Sequence, residues 1–113
     1  MRPSIRHLQH ACRITLFTRM NCSLCTNAKQ TLSNVWDVRP FHYTEIDVMK
    51  PEAKKWRDLY EFDTPVVHVS SSKLGEEDPV KSAKAIKLMH RFTADEIKAK
   101  MDVAEKKVGS DVD

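Results

Sequence analysis

The sequence predicts an α/β fold, a four-stranded mixed sheet sandwiched by three helices. Three observations carry that expectation. Short runs rich in β-branched and aromatic residues at 13–18, 41–46 and 65–69 read as strands. Between them lie segments whose apolar residues recur at helical spacing. Strands separated by helices of this length favour parallel pairing through a right-handed crossover, which calls for helices on both faces of the sheet.

In chain order, Arg13-Ile14-Thr15-Leu16-Phe17-Thr18 forms the first strand. Over 23–36, Leu24, Cys25, Ala28, Leu32, Val35 and Trp36 fall on one helical face that is expected to be buried, with Trp36 and later Trp56 read as core or rim packing. The second strand is Phe41-His42-Tyr43-Thr44-Glu45-Ile46. Pro51 then suits the first turn of a helix with a buried stripe of Ala53, Trp56, Leu59 and Tyr60. Pro65-Val66-Val67-His68-Val69 is the third strand, with His68 read as a satisfied histidine. The polar stretch 70–83 is a long loop with room for a helical turn after Pro79. Residues 85–90 read as strand or helix and, as a strand, would pair antiparallel to 65–69. Thr93-Ala94-Asp95-Glu96 has the form of a capping box and opens a final helix that buries Ile97, Met101, Ala104 and Val108.

With 113 residues, 41% of them hydrophobic, the chain is expected to form one domain over 13–108. It is flanked by a flexible basic tail at 1–12 and a disordered tail at 109–113. The net charge is +3 and the lysines are interleaved with acids, which argues against a nucleic-acid surface. No apolar run approaches the ~20 residues of a membrane span. Three cysteines cannot close a disulfide framework, so a reducing compartment is expected. Residues 1–36 contain no acid. Arg2, Arg6 and Arg13 share one side of a helical wheel while Ile5, Leu8 and Cys12 share another, a feature of mitochondrial presequences. Cytoplasm and mitochondria both stay open.

The chemistry is expected at Thr18-Arg19-Met20-Asn21-Cys22-Ser23-Leu24-Cys25, where two cysteines stand three positions apart just after a strand and at the start of a helix. Backbone N–H groups there lack intrahelical partners and the helix dipole favours negative charge. The Cys22 thiol should therefore ionise below the ~8.5 of a free thiol, with Arg19 adding positive potential. Cys25, one turn later on the apolar stripe, should be more buried. An exposed first sulfur and a sheltered second suit an attacking and a resolving thiol. A closed zinc site would need a second ligand pair, and only His7 and His10 offer a paired spacing. Cys12 reads as a spare thiol.

Residues 14–25 resemble the first strand and active-site turn of glutaredoxins, in which a basic residue stands before the first cysteine as Arg19 does here. Residues 41–48 resemble their second strand. Thr64-Pro65-Val66-Val67 is similar to the segment that carries the cis-proline of the thioredoxin fold. The resemblance covers about residues 13–70 and points to the small eukaryotic glutaredoxin-like proteins. It implies a thioredoxin-like fold, with Cys22 as nucleophile, Cys25 as resolving thiol, and Arg19, Thr64 and cis-Pro65 as the substrate-binding residues. Ser23-Leu24 replaces the usual proline-containing dipeptide. The Gly-Gly and aspartate that hold glutathione in that family are missing, and Leu74-Gly75-Glu76-Glu77-Asp78 is a poor substitute.

The expected function is that of a monomeric thiol–disulfide oxidoreductase acting on disulfide-containing proteins or small thiols. It needs no bound cofactor. Glutathione is a candidate co-substrate, and glutathione or a thioredoxin reductase system is the candidate electron donor. Two other classes compete. One is a thioredoxin-fold binding or redox-sensing module with little turnover. The other is metal or iron–sulfur binding through Cys22 in a dimer.

Overall fold

A computed structural model describes residues 11–72 and 78–112, and of residues 83 and 107–112 the backbone alone. The basic segment 1–10, the acidic run Gly75–Glu77 and the Val108 side chain lie outside the described residues. The elements run β1 (Cys12–Thr18), α1 (Ser23–Val38), β2 (His42–Asp47), α2 (Lys54–Tyr60), β3 (Val66–Ser71), β4 (Ile86–Met89) and α3 (Ala94–Val112). Single 3-10 segments, Pro51–Ala53 and Pro79–Lys84, precede α2 and β4.

The strands form one mixed sheet in the order β2-β1-β3-β4. β1 pairs parallel with β2, Arg13 opposite His42 through Thr18 opposite Asp47. On its other side it pairs antiparallel with β3, Cys12 opposite Ser71 through Phe17 opposite Val66. β4 adds antiparallel to β3, as expected for residues 85–90 in their strand reading.

Alternation along the strands sorts side chains between two cores. Ile14, Leu16, Val67 and Val69 point to the layer built by α1 and α3, where they meet Ala28, Leu32, Val35, Ile97, Met101 and Ala104. Phe17 and Val66 point the opposite way and meet Trp56 and Tyr60 of α2. The helices therefore cover both faces, as the sequence led one to expect. Burying a Leu, Ile, Val or Phe side chain contributes about 1.5–3 kcal/mol, so β1, with Ile14 and Leu16 in one core and Phe17 in the other, stabilises both layers of the sandwich.

Helix starts follow the chain's own chemistry. Thr93 and Glu96 form a reciprocal capping box: the Glu96 amide donates to Thr93 Oγ1 at 3.1 Å and the Thr93 amide to Glu96 Oε1 at 2.9 Å. After β3, Asp78 caps the 3-10 segment by accepting from the Val80 amide at 3.0 Å.

Three expectations are corrected. Cys12 belongs to β1 rather than to a flexible tail, because pairing with Ser71 and the layer under α3 bury it to 1% exposure. The last helix runs on past Gly109 to Val112, where a disordered tail was expected. Trp36, read as core or rim packing, takes the rim at 46% exposure, where its indole N–H donates to the Phe41 carbonyl at 3.1 Å. Leu59 is 43% exposed, since the buried stripe of α2 is narrow and is filled by Trp56 and Tyr60.

His68 is fully buried among the Phe17, Trp56 and Tyr60 rings, with Nε2 2.7 Å from Tyr60 Oη. Lys87 Nζ, a donor only, lies 3.4 Å from the same hydroxyl. Tyr60→Phe removes this buried hydrogen bond and is expected to cost roughly 1–3 kcal/mol. Urea titration should show a lower midpoint at unchanged slope.

Candidate functional site

β1 ends at Thr18, and the chain then turns through Arg19–Asn21. Asn21 takes φ 58°, a left-handed conformation that asparagine tolerates better than most residues. This turn delivers Cys22 in extended geometry as the N-cap of α1, with its carbonyl accepting from the Thr26 amide at 3.2 Å. A cap normally offers a side-chain oxygen to the free amides of the first turn. Here a sulfur does so: Cys22 Sγ accepts from the Cys25 amide at 3.1 Å. No acidic residue stands in the first turn of α1, so nothing on the helix offsets its positive end.

Cys25 is 2% exposed and packs on the same helix face as Ala28, Leu32 and Val35, whereas Cys22 is half-buried. The two sulfurs are joined as a disulfide with Cα atoms 5.2 Å apart. The pair thus has the asymmetry that the helical register predicts, with one sulfur at the surface and the other beneath it.

The facing wall comes from the sheet. Phe17 lies opposite Val66, so Pro65 sits level with Thr18, where β1 hands over to the cysteine turn. The Thr64–Pro65 bond is cis, as the glutaredoxin resemblance implied. The Pro65 carbonyl accepts from the His90 amide at 2.8 Å, which pins the end of β4 to this segment. Thr64 is half-buried, and no described residue bonds to its amide or carbonyl.

Arg19 is half-buried, and its Nη1 donates to the Glu61 carbonyl at 3.0 Å. Glu61 is the C-cap of α2, so the guanidinium satisfies a carbonyl that the helix end leaves open. All five expected residues therefore converge at one end of the sheet, with Arg19, Cys22 and Cys25 on the β1–α1 side and Thr64 and Pro65 on the β3 side. Sequence reasoning missed Glu61 and His90. Glu61 acts through a backbone carbonyl and has no signature in residue type. His90 takes φ 65°, a turn conformation hidden within a run that read as one element.

The third thiol is excluded from this site. Cys12 opens β1 while the dithiol follows its far end, roughly 20 Å away at ~3.3 Å per residue. Its Sγ lies 3.2 Å from Glu105 Oε2 and 3.6 Å from the Met101 carbonyl. Burial, the hydrogen bond to Glu105 and the repulsion of that carboxylate push the Cys12 thiol up from 9.0 to about 12. Among the described residues no group of three or more His, Cys, Asp or Glu side chains is arranged to hold a metal ion.

Two predictions follow from this contrast. In the reduced native protein at pH 8, iodoacetamide should modify Cys22 and leave Cys12 intact until denaturant is added, as read by mass spectrometry. Between pH 9 and 12 the unfolded Cys12 thiol ionises while the folded one stays protonated. The unfolded state then binds fewer protons, and stability falls as pH rises. Cys12→Ala should lessen that fall in urea titrations compared across this range.

A family profile described as Glutaredoxin-like domain matches residues 13–102. Among solved structures, the chain is similar to the X-ray structure of target protein XcR50 from X. campestris, with a TM-score of 0.56 and 22% identity. That similarity covers 80% of this chain and 97% of the other. Together with the mixed four-stranded sheet and its three helices, it establishes a thioredoxin-like α/β fold. The profile spans most of the chain and includes both cysteines of the pair, so this protein belongs to the glutaredoxin-like domain family.

Proposed function

We propose that the protein is a thiol–disulfide oxidoreductase in which Cys22 attacks and Cys25 resolves. One observation supports this above the others: a half-buried sulfur caps the start of a helix, accepts a backbone N–H, and is bonded to a second sulfur that the core shelters.

In the reduced protein, the Cys22 thiolate attacks one sulfur of a substrate disulfide. A Cys22–substrate bond forms, the substrate S–S bond breaks, and the departing thiolate takes a proton from water. Cys25 then loses its proton and attacks the Cys22 sulfur. The Cys22–Cys25 bond forms and the second substrate thiolate leaves. Two electrons have passed from the dithiol to the substrate. A thiol reductant, glutathione or the dithiol of a thioredoxin reductase system, returns the pair to its starting state.

The Cys25 amide that donates to Cys22 Sγ in the disulfide serves equally as a donor to the Cys22 thiolate, and the helix start adds positive potential. Thr64, with its amide and carbonyl unclaimed by described residues, offers an extended backbone edge on which a substrate strand can pair. Arg19, held to Glu61, keeps the cysteine turn against that edge.

Disulfide reduction with either donor is expected to vanish in Cys22→Ser. Cys25→Ser should stop at a mixed disulfide on Cys22 that survives until external thiol is added, visible as a mass increase equal to one substrate half. Failure to form any adduct in that variant rules the reading out. Alkylation of reduced Cys22 should rise with pH through a midpoint below the ~8.5 of a free thiol and then level off.

A further inference from the structure

We propose that a groove between α1 and the edge strand β2 binds a free aromatic α-amino acid, with its ring against Trp36 and Tyr43 and its two charges on Lys29 and Glu45. The groove shares no residue with the dithiol site, so the assignment stands apart from the oxidoreductase reading.

Lys29, Ser33 and Trp36 recur at helical spacing along α1, while Phe41, Tyr43 and Glu45 alternate along one face of the β2 segment. The helix runs back along the strand. Lys29 Nζ therefore meets Glu45 Oε2 at 3.1 Å at one end, and the Trp36 indole N–H meets the Phe41 carbonyl at the other. The cavity these residues line has a volume of about 360 Å³, in the range of small-molecule sites. β2 is the outermost strand, so no described strand closes the groove. Buried Leu32 and Phe41 form its floor, and the exposed Trp36 and Tyr43 rings form its walls. Both walls are held in place. Trp36 is tied to the Phe41 carbonyl, and the Tyr43 hydroxyl donates to Glu45 Oε1 at 2.7 Å.

The polar end carries one charge of each sign. An ammonium has three donors and a carboxylate about four lone-pair sites, so the Lys29–Glu45 pair and the Tyr43 bond leave capacity on both groups. A ligand with a carboxylate alone would face Glu45 as well as Lys29, and one with an ammonium alone would face Lys29 as well as Glu45. A zwitterion complements both. An α-amino acid bears its ammonium and carboxylate on one carbon, which matches two protein charges only 3.1 Å apart. Its side chain then extends toward the aromatic walls, where offset or edge-to-face ring contacts favour an aromatic group. Ser33 lies alongside and adds a hydroxyl.

The test titrates the full chain with phenylalanine by calorimetry, beside hydrocinnamate, which lacks the ammonium, phenethylamine, which lacks the carboxylate, and N-acetylphenylalanine amide, which lacks both charges. Phenylalanine is expected to saturate the site at millimolar concentration. Each single-charge analogue should bind about fivefold more weakly, the size of an exposed ion pair, and added salt should narrow the gap. Lys29→Gln should remove the advantage over phenethylamine, and Glu45→Gln the advantage over hydrocinnamate. Both side chains are exposed, and the glutamine at 45 still accepts from Tyr43, so the variants keep the fold. In NMR spectra the Trp36 indole N–H should shift on binding while that of Trp56, packed in the other core, stays. Absence of saturable binding, or a shift at Trp56 in place of Trp36, overturns the site. Equal binding of the N-acetyl amide overturns the zwitterion assignment and points to a neutral aromatic side chain of a peptide instead.

Discussion

The antiparallel register between β1 and β3 is the constraint on which the site depends. With Phe17 opposite Val66, the last residues of β1 and the residue before β3 must meet at one end of the sheet. The cysteine turn and the Thr64–Pro65 bond are therefore neighbours although Thr64 lies 42 positions after Cys22. A one-residue slip would carry Val67 and Val69 out of the α1–α3 core to the opposite face and turn His68 into their place. The hydrophobic sorting of the two cores thus protects the geometry of the dithiol. Burial energy is spent on strand register, and the register places the chemistry.

Backbone carbonyls then tie the surrounding segments together. Arg19 takes the open carbonyl of Glu61, and the His90 amide takes that of Pro65. These two bonds link the cysteine turn to the end of α2 and the end of β4 to the Pro65 segment. Neither depends on the side chain of its acceptor. Substitution of Glu61 leaves its bond to Arg19 available, whereas substitution of Arg19 removes it.

Three sulfurs in one chain meet three environments. Cys22 has a helix start and an N–H donor, Cys25 has an apolar face, and Cys12 has a carboxylate and a carbonyl. An acceptor stabilises a thiol over a thiolate, so burial and the neighbouring carboxylate push the Cys12 thiol up. Arg39 bridges Glu105 and Asp102 at 2.8 Å each, which anchors the carboxylate beside Cys12. The third thiol is thereby kept out of exchange with the pair by both distance and charge.

By itself the sequence determined the elements and most of the site. The spacing of Ala28, Leu32 and Val35 makes a helix, the run 13–18 makes a strand, and Thr93 with Glu96 marks a helix start, because each rests on interactions between residues close in the chain. The position of Cys22 ahead of that helix was legible for the same reason. Tertiary structure alone decided the rest. Whether 85–90 became strand or helix depended on the open edge of β3. Cys12 left the expected tail for β1 because Ser71 and α3 were there to cover it. Leu59 carries the periodicity of a buried residue yet is exposed, and Trp36 took the rim rather than the core, since periodicity names a helix face and only the packed neighbours set its width. Glu61 meets Arg19 and His90 meets Pro65 through contacts between residues remote in sequence, and pattern within a segment holds no record of those.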